Sequence, residues 1–113
     1  MTVVIADDEL RTEAGNLLFE GDRHGGGVAL SVFVTWFGPG DGPGLHLHPY
    51  AEVFLVQEGT ATFTVAGEQT VVGAGHVVVV EPETPHAFRN CGGGTLQVTS
   101  MHPSGTAIQT FPE

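Results

Sequence analysis

The chain contains no lysine, and its only permanently basic side chains are three arginines. These three are opposed by thirteen aspartates and glutamates, which gives a formal net charge of −10 over 113 residues. A chain this acidic repels phosphate backbones and anionic lipid surfaces, so we expect neither nucleic acid nor a membrane as a partner. The absence of lysine also excludes Schiff-base chemistry and a phosphate-binding P-loop.

Cysteine and long apolar runs are scarce as well. Cys91 is the single cysteine, so no disulfide can form within the chain, and no obvious base marks it as a nucleophile. The valine run at 77–80 stops at Glu81 and is too short to cross a bilayer. The first residues lack both a basic start and a long apolar stretch. We therefore expect no signal peptide, no transmembrane segment and a cytoplasmic location.

No stretch of ten or more residues repeats its apolar positions with the period of a helix. Seventeen glycines and seven prolines instead separate short runs rich in valine, threonine and phenylalanine, which is typical of strands joined by tight turns. The pattern predicts one all-β domain over residues 1–113, with 1–15 as a short strand or an arm that packs on a neighbouring subunit. We predict strands at 16–20, 28–37, 45–48, 52–57, 60–66, about 69–72, 76–80 and 86–90, and within 95–102 and 107–111.

Two alternating histidines and a glutamate stand in the segment "GLHLHPYAEVF". His46 and His48 are two residues apart, so an extended strand places both side chains on one face. Glu52 opens the next predicted strand, and His86 opens a later one after the rigid "EPETP". In a barrel these four side chains can meet at one point. Imidazole and carboxylate together suit divalent first-row metals, with room left for water or substrate.

The spacing of these residues resembles the first motif of the cupin family. That motif runs glycine, five residues, His-x-His, three or four residues, glutamate, six residues, glycine. The chain fits it without a gap as Gly40, His46, His48, Glu52 and Gly59. Residues 40–59 are therefore assigned to the first cupin motif.

Residues 75–90 resemble the second cupin motif, although less closely. Gly75, His86 and Asn90 occupy their positions, but Glu81 stands at the proline position and Glu83 at the glycine position. The departure puts the shape of the turn before His86 in doubt. The fifteen residues between Gly59 and Gly75 look like the short form found in small single-domain bacterial cupins.

The resemblance implies an antiparallel jelly-roll β-barrel of six to eight or more strands with a central pocket. It also implies a divalent transition metal, which is iron, manganese, nickel, copper or zinc. The metal ligands that the resemblance implies are His46, His48, Glu52 and His86. The alternative is a barrel that keeps these side chains without binding a functionally important metal.

Strand alternation extends the predicted site to aromatic side chains. Phe54 shares a face with Glu52, and Phe88 shares one with His86, so both line the pocket if the ligands point inward. The other interpretation is that they are ordinary core aromatics. Tyr50 lies between the ligands and either caps the pocket mouth or is exposed.

Alternation places only one of Met101 and His102 inside the barrel. His102 is then an acid–base group in the substrate pocket or a donor to a metal ligand. The simpler interpretation is a surface histidine before Pro103. Glu52 is the ligand best able to change role and act as a catalytic base on a bound substrate.

Two classes of function remain open because cupins carry out many reactions. The first is a metal-dependent enzyme acting on a small organic molecule, either dioxygenase-like or an isomerase or cyclase. The second is a non-catalytic module that binds metal or a small molecule. Because a small barrel exposes edge strands, we also expect a homodimer.

Overall fold

Strands are the main regular elements of the protein, whose computed structural model describes residues 2–112. Met1 and Glu113 lie outside the described residues, so the predicted N-terminal arm is seen from Thr2 onward. The strands are β1 (Leu17–Glu20), β2 (Ser31–Phe37), β3 (Glu52–Glu58), β4 (Thr60–Val65), β5 (Glu68–Gly73), β6 (His76–Val80), β7 (His86–Asn90) and β8 (Leu96–His102). A 3-10 turn at Asp7–Glu9 and a single helical turn α1 at Gly21–His24 complete the elements. Within residues 2–112, no helix is long and apolar enough to cross a membrane.

The eight strands form two antiparallel sheets. The first has the order β1–β2–β8–β3–β6, and the second has the order β5–β4–β7. Consecutive strands β4 and β5 form a hairpin, whereas β8 returns from the end of the chain to lie between β2 and β3. The predicted all-β antiparallel fold is confirmed.

The core lies between the sheets because β3, β4, β7 and β8 alternate buried and more exposed positions. In β3 the buried residues are Glu52, Phe54 and Val56, and in β7 they are His86, Phe88 and Asn90. Apolar residues of β4 and β8 fill the space between them, including Phe63, which stacks on Phe88 with ring centroids 4.9 Å apart. Burial of each such aromatic ring stabilises the fold by roughly 1.5–3 kcal/mol. The same alternation therefore builds the core and turns the polar side chains inward.

The strand predicted at 45–48 is wrong. His46 instead forms an isolated bridge with His86, and Leu47 forms one with Thr110. Because neighbouring residues pair with different segments, no continuous ladder forms, and Pro49 has no N–H with which to extend one. The strand predicted at 107–111 is wrong for the same reason, since its described pairing is limited to Thr110.

The first two predicted strands pair antiparallel as β1 and β2, but the second begins later than predicted. Helical turn α1 follows β1 directly, and β2 begins at Ser31 rather than at residue 28. Gly21 permits the close packing here, because a Cβ atom at this position would lie 1.6 Å from the carbonyl oxygen of Val28. The remaining predicted strands match β3 to β8 to within two residues.

Candidate metal centre

Four buried side chains meet at one end of the space between the sheets. His46 and His48 lie in the segment before β3, Glu52 is the first residue of β3, and His86 is the first residue of β7. One ligand atom from each of the four lies within 4.8 Å of the other three. Two backbone hydrogen bonds between His46 and His86, of 3.0 and 2.8 Å, tie the two chain segments together.

The Nδ1 atoms of the three histidines face backbone carbonyl oxygens. His46 Nδ1 lies 2.7 Å from the oxygen of Gly44, and His86 Nδ1 lies 2.8 Å from that of Thr84. His48 Nδ1 lies 2.7 Å from the oxygen of Ile108. Because a carbonyl oxygen only accepts, each Nδ1 carries the proton and donates it. In the neutral rings Nε2 is therefore the nitrogen with a free lone pair.

The free Nε2 atoms of two of these rings face the Glu52 carboxylate. Oε1 of Glu52 lies 2.7 Å from His48 Nε2 and 3.1 Å from His86 Nε2. The contact with His48 lacks hydrogen-bond geometry, so this buried nitrogen has no hydrogen-bond partner among the described residues. A lone pair that faces a carboxylate is unfavourable unless a cation lies between them. The buried cluster of three imidazoles and one carboxylate fits a divalent transition metal.

The surroundings of His46 disfavour its protonation. Burial lowers the pKa of His46, and the neighbouring rings of His86 and His48 lower it further. Burial also disfavours the charged form of His48, but its contacts with Glu52 and Ile108 outweigh this effect and raise the pKa of His48. The ring of His46 is therefore held neutral, with its lone pair available to a metal.

Glu52 is held as a carboxylate. Burial by itself would raise the pKa of Glu52, but its close contacts with the imidazoles of His102, His48 and His86 together bring the pKa far below the ordinary value. An ionised carboxylate among imidazoles is a good ligand for a divalent cation. The same surroundings make it a weak base.

His102 is the fifth polar side chain of the centre. Its Nε2 lies 3.0 Å from Glu52 Oε2, and its Nδ1 lies 2.6 Å from the hydroxyl oxygen of Tyr50. His102 is only 2 % exposed, so the interpretation as a surface histidine is wrong and Met101 takes the outward position. The register of β8 explains this, because Ser100 and His102 point to the same side as the buried Val98.

Comparison of the sequence with models of known protein families identifies the family of this chain. The model of the cupin domain matches residues 33–102, which is more than half of the chain and includes every candidate ligand. The chain belongs to the cupin family. Comparison with curated protein sequences finds no significant match.

Solved cupin structures share the fold. An oxalate oxidase in complex with glycolate superimposes with a TM-score of 0.75 at 21% identity, over 88% of this chain and 56% of that one. The formate complex of Lactobacillus farciminis oxalate decarboxylase gives 0.80 at 19% identity, over 91% and 33%. Bacillus subtilis oxalate decarboxylase, described for its Mn(II) centres, gives 0.77 at 19% identity, over 89% and 29%. The chain thus spans between 29% and 56% of the length of these proteins, and the likeness establishes the fold alone.

A cavity of about 250 Å³ opens beside the cupin metal centre. Its walls include His46, Glu52 and His102 together with the predicted pair Phe54 and Phe88. Sequence reasoning missed further lining residues from β2 and from the segments outside the strands, namely Asn16, Phe33, Thr35, Phe37 and Gln109. Strand alternation in β2 was a signal for three of them, since Phe33, Thr35 and Phe37 share one face.

Tyr50 neither caps this cavity nor is free in solvent. Its hydroxyl oxygen accepts a 2.9 Å hydrogen bond from the backbone N–H of Ile108 and contacts His102. Burial is the main influence that raises the pKa of Tyr50, so the phenol remains protonated. Ile108 also accepts the proton of His48 Nδ1. The C-terminal segment is therefore part of the cupin centre, and no motif in the sequence signals it.

A larger depression of about 510 Å³ lies on the other side of the second sheet. It is lined by Thr62, Thr64 and Arg89 among others, and by none of the four candidate ligands. The smaller cavity is the better candidate for a substrate site because it alone of the two adjoins the ligand cluster.

Proposed function

We propose that this cupin is a metal-dependent enzyme that acts on a small, flat organic molecule in the 250 Å³ cavity. The observation that carries the proposal is the position of the cavity, which has Glu52 and His46 in its wall beside four aromatic rings. His46, His48, Glu52 and His86 would hold the metal. A redox-active metal would supply oxygen chemistry of the dioxygenase type, whereas zinc would supply Lewis-acid chemistry for an isomerase or cyclase.

The proposed substrate carries no more than one negative charge. A divalent cation held by three neutral imidazoles and one carboxylate leaves one unit of positive charge. Among residues 2–112 no arginine lines the cavity, since Arg11, Arg23 and Arg89 lie elsewhere, and the chain has no lysine. A second negative charge would be buried without a partner, at a cost of several kcal/mol. An enol or a hydroxy-carbonyl compound that binds through two oxygens meets this requirement better than a dicarboxylate.

The aromatic walls favour a flat substrate. Phe54 and Phe88 meet edge to face at a centroid distance of 5.7 Å, and Phe37 packs against Phe88 in the same manner at 5.5 Å. Rings in this arrangement exclude water and offer apolar surfaces to a planar ligand. Thr35 and Ser100 supply hydroxyl groups that can orient it.

Glu52 is proposed as a ligand, with the catalytic-base role as the alternative. The interactions that lower the pKa of Glu52 weaken it as a base. A Glu52→Gln variant that keeps its bound metal but loses turnover would indicate that Glu52 is the catalytic base. A variant that loses both metal and turnover would indicate that Glu52 is a metal ligand.

Turnover of a panel of enols, β-diketones and hydroxy-carbonyl compounds by the metal-loaded protein tests the proposed enzyme. Oxygen uptake and product formation are both followed. For an accepted substrate, Phe88→Leu should raise KM about tenfold with metal content unchanged, because the ring is lost from the cavity wall. Phe63→Leu is the matched control, since Phe63 is buried beside Phe88 and does not line the cavity.

Two results would contradict the enzyme. Absence of turnover across the panel, with metal and ligand still bound, would leave the non-catalytic binding module. An equal rise in KM for Phe88→Leu and Phe63→Leu would show that the cavity wall does not contact the substrate.

A homodimer completes the proposal. The outer sheet face is the solvent side of the five-stranded sheet, with Val53 and Leu55 of β3 at its centre. Apart from the exposed Glu58 at the end of β3, where the register shifts, the outward positions on its five strands are uncharged. In a chain of net charge −10, two copies can approach each other through this face with little repulsion between fixed charges.

A further inference from the structure

The four histidines around Glu52 differ in what their Nδ1 atoms contact. His46, His48 and His86 each face a backbone carbonyl, which can only accept. His102 faces the hydroxyl of Tyr50, which can both donate and accept. The carbonyl contacts fix the tautomer of the first three rings, and that of His102 follows from its remaining contacts.

The tautomer of His102 follows from the carboxylate that it contacts. A carboxylate oxygen only accepts, whereas the Tyr50 hydroxyl can donate or accept, so the tautomer that suits both contacts of His102 carries its proton on Nε2, 3.0 Å from Glu52 Oε2. The neutral ring then has its lone pair on Nδ1. The hydroxyl of Tyr50 donates to this lone pair at 2.6 Å, while its oxygen accepts from the N–H of Ile108. The carbonyl oxygen of Ile108, at 3.2 Å, is the more distant acceptor for the same hydroxyl proton.

The two carboxylate oxygens of Glu52 therefore have different contacts. Oε1 faces His48 and His86, on the side of the candidate metal, whereas Oε2 is occupied by His102. A carboxylate with one oxygen occupied by a donor offers a metal the other oxygen. Such partners of a ligand fix its orientation and contribute to metal affinity.

We propose that His102 is a positioning residue that makes Glu52 a ligand through Oε1 alone, and that Tyr50 fixes the tautomer His102 needs for this role. This inference rests on the proposed metal site and is independent of any turnover. His102 is therefore not a fifth ligand. The ligand atoms that all lie within 4.8 Å of one another belong to His46, His48, Glu52 and His86, and that set does not include His102.

Cobalt(II) binding to the metal-free full-length protein tests the proposal. The visible absorption spectrum reports the coordination of Co(II), and competition with a chelator gives its dissociation constant. His102→Leu removes the donor at nearly constant volume, and His102→Gln retains an N–H donor that reaches Glu52. His76→Leu is the matched control, because His76 is exposed and lies outside the centre.

We expect His102→Leu to weaken Co(II) binding about 10- to 100-fold and to change the spectrum as Oε2 becomes free to coordinate. His102→Gln should restore most of the affinity and the wild-type spectrum. Tyr50→Phe should weaken binding several-fold, a smaller effect, because the ring of His102 remains. The control should match the wild type.

Three results would overturn the inference. Equal affinity and spectrum for wild type and His102→Leu would show that His102 does not position Glu52. A His102→Gln protein as impaired as His102→Leu would indicate a direct ligand. Absence of Co(II) binding in the wild type would remove the metal site itself, and the positioning role with it. A folded state shown by circular dichroism in each variant separates these outcomes from unfolding.

Discussion

Glu83 has an unusual backbone conformation next to the metal centre. Its φ is +61°, in the left-handed region that glycine adopts without strain, and it stands where the second cupin motif has glycine. The backbone N–H of Glu83 donates to the carbonyl of His48 at 2.8 Å. The turn keeps its shape with a glutamate, at the cost of local strain, and still delivers His86 to the cluster.

Replacement of Glu83 by glycine should stabilise the protein. A non-glycine residue in the left-handed region costs about 1–2 kcal/mol, and the added freedom of glycine in the unfolded chain offsets part of the relief. We expect the free energy of unfolding to rise by about 0.5–1 kcal/mol for Glu83→Gly, measured by urea denaturation of the metal-free protein.

Glu81→Gly is the matched control for this substitution, because Glu81 lies two residues earlier and is not among the residues with positive φ. It should destabilise the protein by about 0.4–1 kcal/mol. Loss of stability in both variants would show that the conformation of Glu83 is not strained.

The sequence predicts the four candidate ligands but not the burial of His102. The convergence of His46, His48, Glu52 and His86 was expected from two spaced motifs, because such motifs fix which residues face the barrel interior. The burial of His102 was open, since alternation alone does not say which of two neighbours points inward. The register of β8 against β3 decides it, and register is a long-range property.

At the scale of elements, strands β3 to β8 were predicted closely because each is a short apolar or alternating run ended by a turn. Segments whose conformation depends on tertiary contacts were predicted wrongly. The segment 45–48 and the C-terminal segment have apolar residues typical of strands, yet each is held by single bridges and by bonds to the metal centre. Propensity describes a residue's local preference, whereas these segments are shaped by partners far along the chain.

The outer sheet face predicts how two copies associate. Val53 and Val79 are direct neighbours across β3 and β6, and Val79 is 63 % exposed. A Val79→Glu substitution places a charge among these valines and should convert the proposed homodimer to a monomer, as measured by sedimentation velocity at micromolar concentration. Burial of an unpaired charge at an interface is unfavourable by several kcal/mol, which is enough to dissociate most dimers of moderate affinity.

A second exposed valine provides the control for this experiment. Val71 is 66 % exposed and pairs with Thr62 on the outward side of the three-stranded sheet. Val71→Glu should leave the dimer intact. A wild-type protein that sediments as a monomer, or equal dissociation by both substitutions, would contradict association through the outer sheet face.

At the scale of the whole molecule, the protein combines a strongly acidic surface with an interior that concentrates imidazole. Four of its six histidines lie around one carboxylate, although the chain has thirteen acidic residues. The cost of burying these polar groups is high unless a cation satisfies them. The metal centre is thus expected to stabilise the fold as well as to supply its chemistry.

Membership of the cupin family explains why these side chains converge but leaves the reaction open, because one fold supports many activities. The features specific to this chain are the cavity without a side-chain cation, the contact between His102 and Glu52, and the contribution of Ile108 to the orientation of His48. Their proposed roles all depend on a metal being bound by the four residues.

The metal content of the purified protein, measured by plasma mass spectrometry beside His86→Ala and His76→Ala variants, is therefore the most direct test. The account predicts about one equivalent of a divalent transition metal in the wild type and in His76→Ala, and its loss in His86→Ala. Iron, manganese, nickel or copper would point to oxygen chemistry, and zinc to an isomerase or cyclase. Absence of metal from the wild type after reconstitution, or full metal content in His86→Ala, would contradict the site.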